Sequence, residues 1–157
     1  MTLDLTSQEE VEKKLISNKE LIEEIDGILF PIGMMFENDT TNLDIKKIHD
    51  LISANFSSIA FITSNFIKQK NEGTITMFGS VSGYLGRSLN PYYAAAKRSL
   101  ESYFESISFE NKKKKIRIQF YILGYLETNL SFGKKLILPK GSVKKLSEKV
   151  YKNRNKK

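Results

Sequence analysis

The feature that most restricts this chain is an alternation of helix-like and strand-like stretches. Residues 25–32 form a short apolar run that Pro31 helps to end, which reads as a buried strand. Residues 74–78 are rich in β-branched and apolar side chains and read as a second strand. Ile116, Ile118, Phe120 and Ile122 alternate with other residues in a third, closed by Gly124. Ahead of the first strand, Val11, Leu15, Leu21 and Ile22 stand among charges over residues 8–24, an amphipathic helix with a break near Asn18. Between the first two strands lies the longest helix, residues 43–70. Ile45, Ile48, Ile52, Ile59, Ile62 and Phe66 fall three, four or seven apart there and predict one apolar stripe. Asn42 is placed to cap it, with Asp44 in its first turn. Gly73 interrupts the pattern. Asn90-Pro91 then opens another helix that runs through Leu100, Phe104 and Ile107. Helix, strand, helix, strand, helix, strand is the order expected of an α/β fold: a parallel sheet with right-handed crossovers and helices on both faces.

A chain of 157 residues, 40% hydrophobic, can bury one core, so a single domain over residues 1–157 is expected. Cysteine is absent, which excludes disulfides and thiolate metal sites. The opening MTLDLTSQEEVEKK has no apolar core behind a basic start, unlike a signal peptide. No apolar run approaches the roughly 18 residues that span a membrane. These features predict a soluble protein of a reducing, cytoplasmic compartment. The net charge of +7 comes largely from residues 112–115 and 144–157. No nucleic-acid motif accompanies it, so solvated loops and a basic tail are expected, and no nucleic-acid partner. After Thr128 the chain reads as a loop followed by a basic helix over residues 142–152.

In open α/β sheets, ligands bind outside the carboxyl ends of the strands. Gly33, Ser80 and Gly124 each begin a loop at such an end. The second loop leads through GSVSGYLGRSLNPYYAAAK, where Tyr93 and Lys97 are four apart at a helix start and share a face. A phenol normally ionises near pH 10, and a neighbouring ammonium favours its phenolate. Ser80, just upstream, is placed to hold a substrate oxygen. Gly79, Gly83 and Gly86 also resemble a phosphate cradle. Their serine and their distance to Tyr93 fit a catalytic loop better. His49, with no partner histidine, reads as a solvated surface residue.

A serine thirteen residues before the tyrosine of a YxxxK motif resembles the active site of short-chain dehydrogenases/reductases, and Ser80, Tyr93 and Lys97 match it in order and spacing. Asn55 interrupts the apolar stripe of the long helix. The resemblance makes it the asparagine that holds a water in the proton relay behind the lysine; the plainer account is a helix asparagine bonded to its own backbone. Gly124-Tyr125-Leu126-Glu127-Thr128 is similar to the family's PGxVxT segment, whose backbone and threonine meet the nicotinamide, with Leu123 in place of the proline. Residues 26–33, DGILFPIG, are similar to the DxLVNNAG strand, although Phe30, Pro31 and Ile32 stand where NNA is usual. Leu3-Asp4-Leu5-Thr6 is similar to the end of the preceding strand, whose aspartate meets adenine.

The resemblance implies a Rossmann-like sheet and reversible hydride transfer between NAD or NADP and a small-molecule carbonyl or alcohol. It casts Ser80, Tyr93, Lys97 and Asn55 as the catalytic group, and Asp4, Gly33, Tyr93, Lys97, Gly124, Leu126 and Thr128 as cofactor contacts. It also implies a homo-oligomer paired through helices 43–70 and 91–110, where Leu100, Tyr103, Phe104 and Ile107 offer apolar surface. Residues 129–157 fall where the family carries its substrate-covering segment, and Leu136, Ile137 and Leu138 suggest an apolar contact. The first glycine is Gly27, so the family's glycine-rich phosphate loop and first βαβ unit are expected to be missing, with both ends cut. An inactive fragment of such an oxidoreductase is the expectation. A non-catalytic pseudoenzyme or assembly piece is the alternative.

Overall fold

The computed structural model describes residues 2–41, 43–84, 88–110, 114–128, 130 and 140–154. Helix α1 (Gln8–Ser17) is capped by Ser7, whose hydroxyl accepts the Glu10 amide at 3.3 Å. The expected break falls at Asn18, and α2 (Lys19–Glu24) follows. Strand β1 spans only Gly27–Leu29, shorter than the apolar run suggested. Then come α3 (Ile45–Ile52), a π-helical turn (Ser53–Ser57), α4 (Ser58–Gln69) and β2 (Glu72–Ser80). A 3₁₀ turn (Val81–Gly83), α5 (Pro91–Glu110), β3 (Lys115–Leu123) and α6 (Val143–Asn153) complete the order.

The three strands form one parallel sheet in the order β1-β2-β3. Ile28 lies opposite Ile75, and Ile75 opposite Ile118, so residues two apart along each strand share a face across the sheet. On one face Ile75, Met77, Ile116, Ile118 and Phe120 pack with Ile59, Ile62 and Phe66 of α4 and Leu100 of α5. Val11, Leu15 and Ile22 bring α1 and α2 into the same core. The other face is bordered by α6. There the Gln119 amide donates to the Asn153 carbonyl at 2.7 Å, and the Arg117 guanidinium donates to the Arg154 carbonyl. The alternation in the sequence therefore does produce a parallel α/β sheet with helices on both sides. Gly73 has a residue-specific reason to be glycine. Its φ is +146°, and a Cβ there would stand 2.8 Å from the buried Phe66 ring and 2.9 Å from the Asp26 carbonyl.

The long helix departs from the expected stripe. The Ser58 amide reaches back five residues to the Ser53 carbonyl, so the turn at Ser53–Ser57 is wider than an α-turn and shifts the phase of what precedes it. Ile45, counted in the stripe, is 68% exposed, whereas Leu51 is fully buried. The cap of α3 is Asp44, accepting the Lys47 amide at 2.8 Å; Asn42 lies outside the described residues. The wide turn is braced from outside by Gln8, whose amide reaches the Ser53 and Ser57 hydroxyls, and by Ser58, which donates to the Leu5 carbonyl at 2.7 Å.

The apolar side chains of α5 are occupied within the chain. Leu100 is fully buried, Phe104 stacks on Phe120 with ring centres 4.8 Å apart, and Tyr103 bonds Ser64 and the Ala60 carbonyl. Ile107 packs against the same core. These four side chains are thus less available as a leftover surface than their spacing suggests. Among the described residues, no helix is long and apolar enough to cross a membrane.

Candidate active site

A cleft of about 250 Å³ opens at the carboxyl ends of all three strands. The loop after β1 contributes Pro31, Ile32, Gly33 and Met35. The end of β2 contributes Phe78 to Ser82, and α5 contributes Tyr93 and Lys97. Leu123 to Leu126, Thr128 and Leu130 line it from the end of β3, with Val143 and Leu146 from α6. A parallel sheet delivers its loops to one edge, so segments far apart in sequence meet here.

Lys97 is the centre of the arrangement. Its side chain is 4% exposed, and its amine donates to the Ile32 carbonyl at 3.2 Å and the Phe78 carbonyl at 3.1 Å. Both acceptors sit just beyond or near the ends of β1 and β2. Burial disfavours the charged form and lowers the amine from its ordinary value of 10.5 to about 8. The amine lies 5.9 Å from the centre of the Tyr93 ring, and Tyr93 itself is buried. Ser80 closes β2 and turns its hydroxyl to accept the Ser82 amide at 3.2 Å, which shapes the loop into the 3₁₀ turn.

Asn55 occupies the wide turn and is fully buried. Its amide nitrogen donates to the Met34 carbonyl at 2.7 Å and to the Leu51 carbonyl at 2.9 Å. Its amide oxygen accepts from the Met34 amide at 3.2 Å. Asn55 thus bonds its own helix, as the plainer of its two readings expects, and it also clamps the loop that leaves β1. Gly33 sits between Asn55 and Lys97. A Cβ there would be 3.7 Å from the asparagine oxygen and 4.0 Å from the lysine nitrogen, and 3.2 Å from Leu130. Gly124, Leu126 and Thr128 line the same cleft, and Leu126 pairs with Gly141 in an isolated bridge that anchors the entry to α6.

One sequence-selected residue lies elsewhere. Asp4 is exposed, does not line the cleft, and uses its carboxylate to accept the Thr6 amide at 2.9 Å and the Thr6 hydroxyl at 2.8 Å. The Thr6 bonds hold the acid below the usual carboxylate range. His49 is exposed, as expected. Gly86 and the 136–138 segment lie outside the described residues. Among those residues, no group of three potential metal ligands occurs.

The start of α5 holds a correction. Asn90 supplies the first helical carbonyl, which accepts the Ala94 amide at 3.0 Å, but its side chain does not cap the helix. It donates instead to the Phe36 carbonyl at 2.8 Å. The side-chain cap is Asp39, whose two oxygens accept the Tyr92 and Tyr93 amides at 3.2 and 3.0 Å. Asp39 is fully buried and stood unnoticed in a polar stretch, because its partners are more than fifty residues away. Met35, Val143 and Leu146 are further lining residues with no local signal of their role.

The family model of the short chain dehydrogenases matches residues 1–135. The chain is 27% identical over 135 residues to the 3-oxoacyl-[acyl-carrier-protein] reductase FabG of Buchnera aphidicola subsp. Schizaphis graminum, covering 82% of this chain and 54% of that protein. It is 25% identical over 134 residues to FabG of Escherichia coli, covering 83% and 55%. The chain thus spans about half the length of these curated relatives. Among solved structures, 4-hydroxyisoleucine dehydrogenase complexed with NADH superposes with a TM-score of 0.85 at 17% identity, over 99% of this chain and 72% of that one. A short-chain dehydrogenase from Sphingobium yanoikuyae in complex with NADPH gives 0.80 at 20% identity, over 97% and 63%. The chain belongs to the short-chain dehydrogenase family.

The buried amine has a measurable consequence for stability. The unfolded chain keeps the Lys97 proton up to the ordinary value of 10.5, whereas the folded chain releases it around 8. Between those values the unfolded state binds more protons, so folding becomes more favourable as pH rises, by up to about 3 kcal/mol. Urea unfolding across this interval is expected to show the rise in the unsubstituted chain and its loss in Lys97→Met. A rise of equal size in the variant would assign it to another group.

Proposed function

We propose that these residues form the proton-handling and substrate-binding part of an oxidoreductase acting between NAD or NADP and a small carbonyl or alcohol. The observation that carries the reading is the meeting of Ser80, Tyr93 and Lys97 at one cleft, with Asn55 bonded to the loop behind the lysine. The cleft suits a nicotinamide. The backbone at Gly33 leaves space beside Lys97 and Asn55 that a Cβ would narrow, and Gly124, Leu126 and Thr128 border the other side. When bound, the nicotinamide supplies or takes up the hydride. Relatives solved with NADH and with NADPH support either form.

In this reading the Tyr93 hydroxyl passes its proton to the substrate oxygen during reduction and recovers it during oxidation. Lys97, still mostly charged at neutral pH with its value of about 8, favours the phenolate and holds the nicotinamide ribose. Ser80 donates to the substrate oxygen. Asn55 holds the relay to solvent, and Asp4 meets the adenine end. Leu126, Leu130, Val143 and Leu146 give the substrate an apolar flank. The chain belongs to one domain in which Leu130 and α6 border the substrate, in a protein of the cytoplasm.

The second reading, a non-catalytic assembly piece, draws on one observation: no glycine precedes Gly27, so these residues contain no glycine-rich phosphate loop ahead of the sheet. For the same reason the 157 residues alone are expected to bind NAD(H) and NADP(H) in the millimolar range or weaker and to turn over little. Titration calorimetry yielding a low-micromolar dissociation constant for either would refute this.

The two readings separate when a family nucleotide-binding unit is joined ahead of the chain and hydride transfer is assayed against a panel of ketones. The enzyme reading expects turnover that falls about 10²–10⁴-fold in Tyr93→Phe with the fold intact, the usual contribution of a general acid. A variant keeping more than roughly a tenth of the rate would assign the proton to another group.

We also propose that copies of the chain associate through α3–α4 and α5, where Ile45, Phe61 and Phe109 remain 68%, 39% and 72% exposed. Sedimentation velocity over a concentration series is expected to show a dimer or larger species, weakened by Phe109→Glu. A strict monomer at high micromolar concentration would sink the idea.

A further inference from the structure

Asp39 is a charged side chain with no exposure, far in sequence from everything it touches. Burying a carboxylate costs several kcal/mol unless every oxygen finds a donor. Here each oxygen finds one at the first turn of α5, where free amides and the helix dipole favour an anion. A cap alone does not require such a distant residue. Asn90, at the position where a capping side chain normally acts, turns away and donates to the Phe36 carbonyl. The two segments therefore exchange side chains, Asp39 reaching into α5 and Asn90 reaching back. The Asp39 amide adds a bond to the Leu89 carbonyl at 2.8 Å, and the Thr40 hydroxyl donates to the Ser88 carbonyl.

The second of the two capped amides is that of Tyr93. The other end of the Asp39 segment is held at Met34 by Asn55, through two bonds of 2.7 and 3.2 Å. Six residues of chain thus run from the Asn55 clamp beside Lys97 to the main chain of Tyr93. We infer that Asp39 is a positioning residue: by holding the Tyr92 and Tyr93 amides it sets the Tyr93 phenol against the Lys97 amine and the cleft. This role rests on the reading of Tyr93 as the proton-passing group. Asp39 does not line the cleft. It acts through the backbone of Tyr93.

The test uses the whole chain and two readouts. Amide hydrogen exchange follows Tyr92 and Tyr93. The phenol of Tyr93 is followed by its tyrosinate absorbance, as the difference from a Tyr93→Phe reference in a chain that lacks tryptophan. Asp39→Ala is expected to speed exchange at both amides by about tenfold or more relative to the rest of α5, the effect of losing bonds to a charged acceptor. It is also expected to change the pH at which the Tyr93 tyrosinate absorbance appears, a change that lost helix stability alone would not produce in a chain still folded. Asp39→Asn keeps the shape and one acceptor oxygen. It is expected to retain protection at one of the two amides and to move the titration less in the same direction, and it carries the test should Asp39→Ala not fold. A folded variant with Tyr93 exchange or titration unchanged would overturn the proposal. Failure of the underlying reading shows separately, as Tyr93→Phe retaining its rate in the joined enzyme.

Discussion

A buried ammonium group lies where two parallel strands end, and much of the surrounding structure exists to make that tolerable. Lys97 has almost no contact with solvent and relies on the carbonyls of Ile32 and Phe78. Carbonyls near the end of a parallel strand are free to meet a cation, because the ladder that would occupy them has stopped. The pair must be brought to one place. The β1–β2 register does this, with Leu29 opposite Thr76 and the Phe30 amide continuing the pairing to the Thr76 carbonyl at 3.0 Å. Helix α5 then delivers the lysine from the face that its own Leu100 and Phe104 pack against. Displacing any of these parts leaves a cation without acceptors, which costs far more than losing one surface bond.

The loop carrying Ile32 would wander without a clamp, and the clamp is Asn55. Seating a buried amide against that loop while keeping a bond to Leu51 is accompanied by one wide turn in the helix, and wide turns are often found at functional positions. The turn is supported from behind by Gln8 and by Ser58, so residues from the beginning of the chain stabilise a site they never enter. Gly79 completes the set in a different manner. A Cβ there would stand 2.5 Å from the Phe120 ring, so its hydrogen lets Phe120 lie flat on β2 directly before Ser80.

The cleft is asymmetric in chemistry. Its inner wall holds the amine, phenol and hydroxyl, while Leu126, Leu130, Val143 and Leu146 make the outer wall apolar. Among the described residues, the outer wall is joined to the sheet through the Leu126–Gly141 bridge and the contacts of Gln119 and Arg117 with the end of α6. None of the residues of α6 is buried, so this wall is held far less firmly than the inner one. The polar groups of the cleft are thus attached to the sheet edge, and its apolar wall to a helix with no buried residue.

What could be learned from the sequence was local. Thirteen residues separate Ser80 from Tyr93 and four separate Tyr93 from Lys97. Spacing of that order converts directly into geometry through one loop and one helical turn, so the meeting of Ser80, Tyr93 and Lys97 at one cleft was legible before any fold was known. The same holds for the order of strands and helices, which hydrophobic period and glycine or proline punctuation reveal. The wide turn at Asn55 was not legible: the sequence marks a polar residue within the stripe but not a change of helical pitch, and the phase shift depends on a loop that arrives from β1. Nor was Asp39: a carboxylate in a polar stretch has no local mark that it will be buried, and its two partners adjoin it only after the sheet has formed. The sequence determined which polar groups, Ser80, Tyr93 and Lys97, stand together. The tertiary structure decided how they are held, since a buried charge is satisfied by whichever donors the packed chain brings to it, however distant along the backbone.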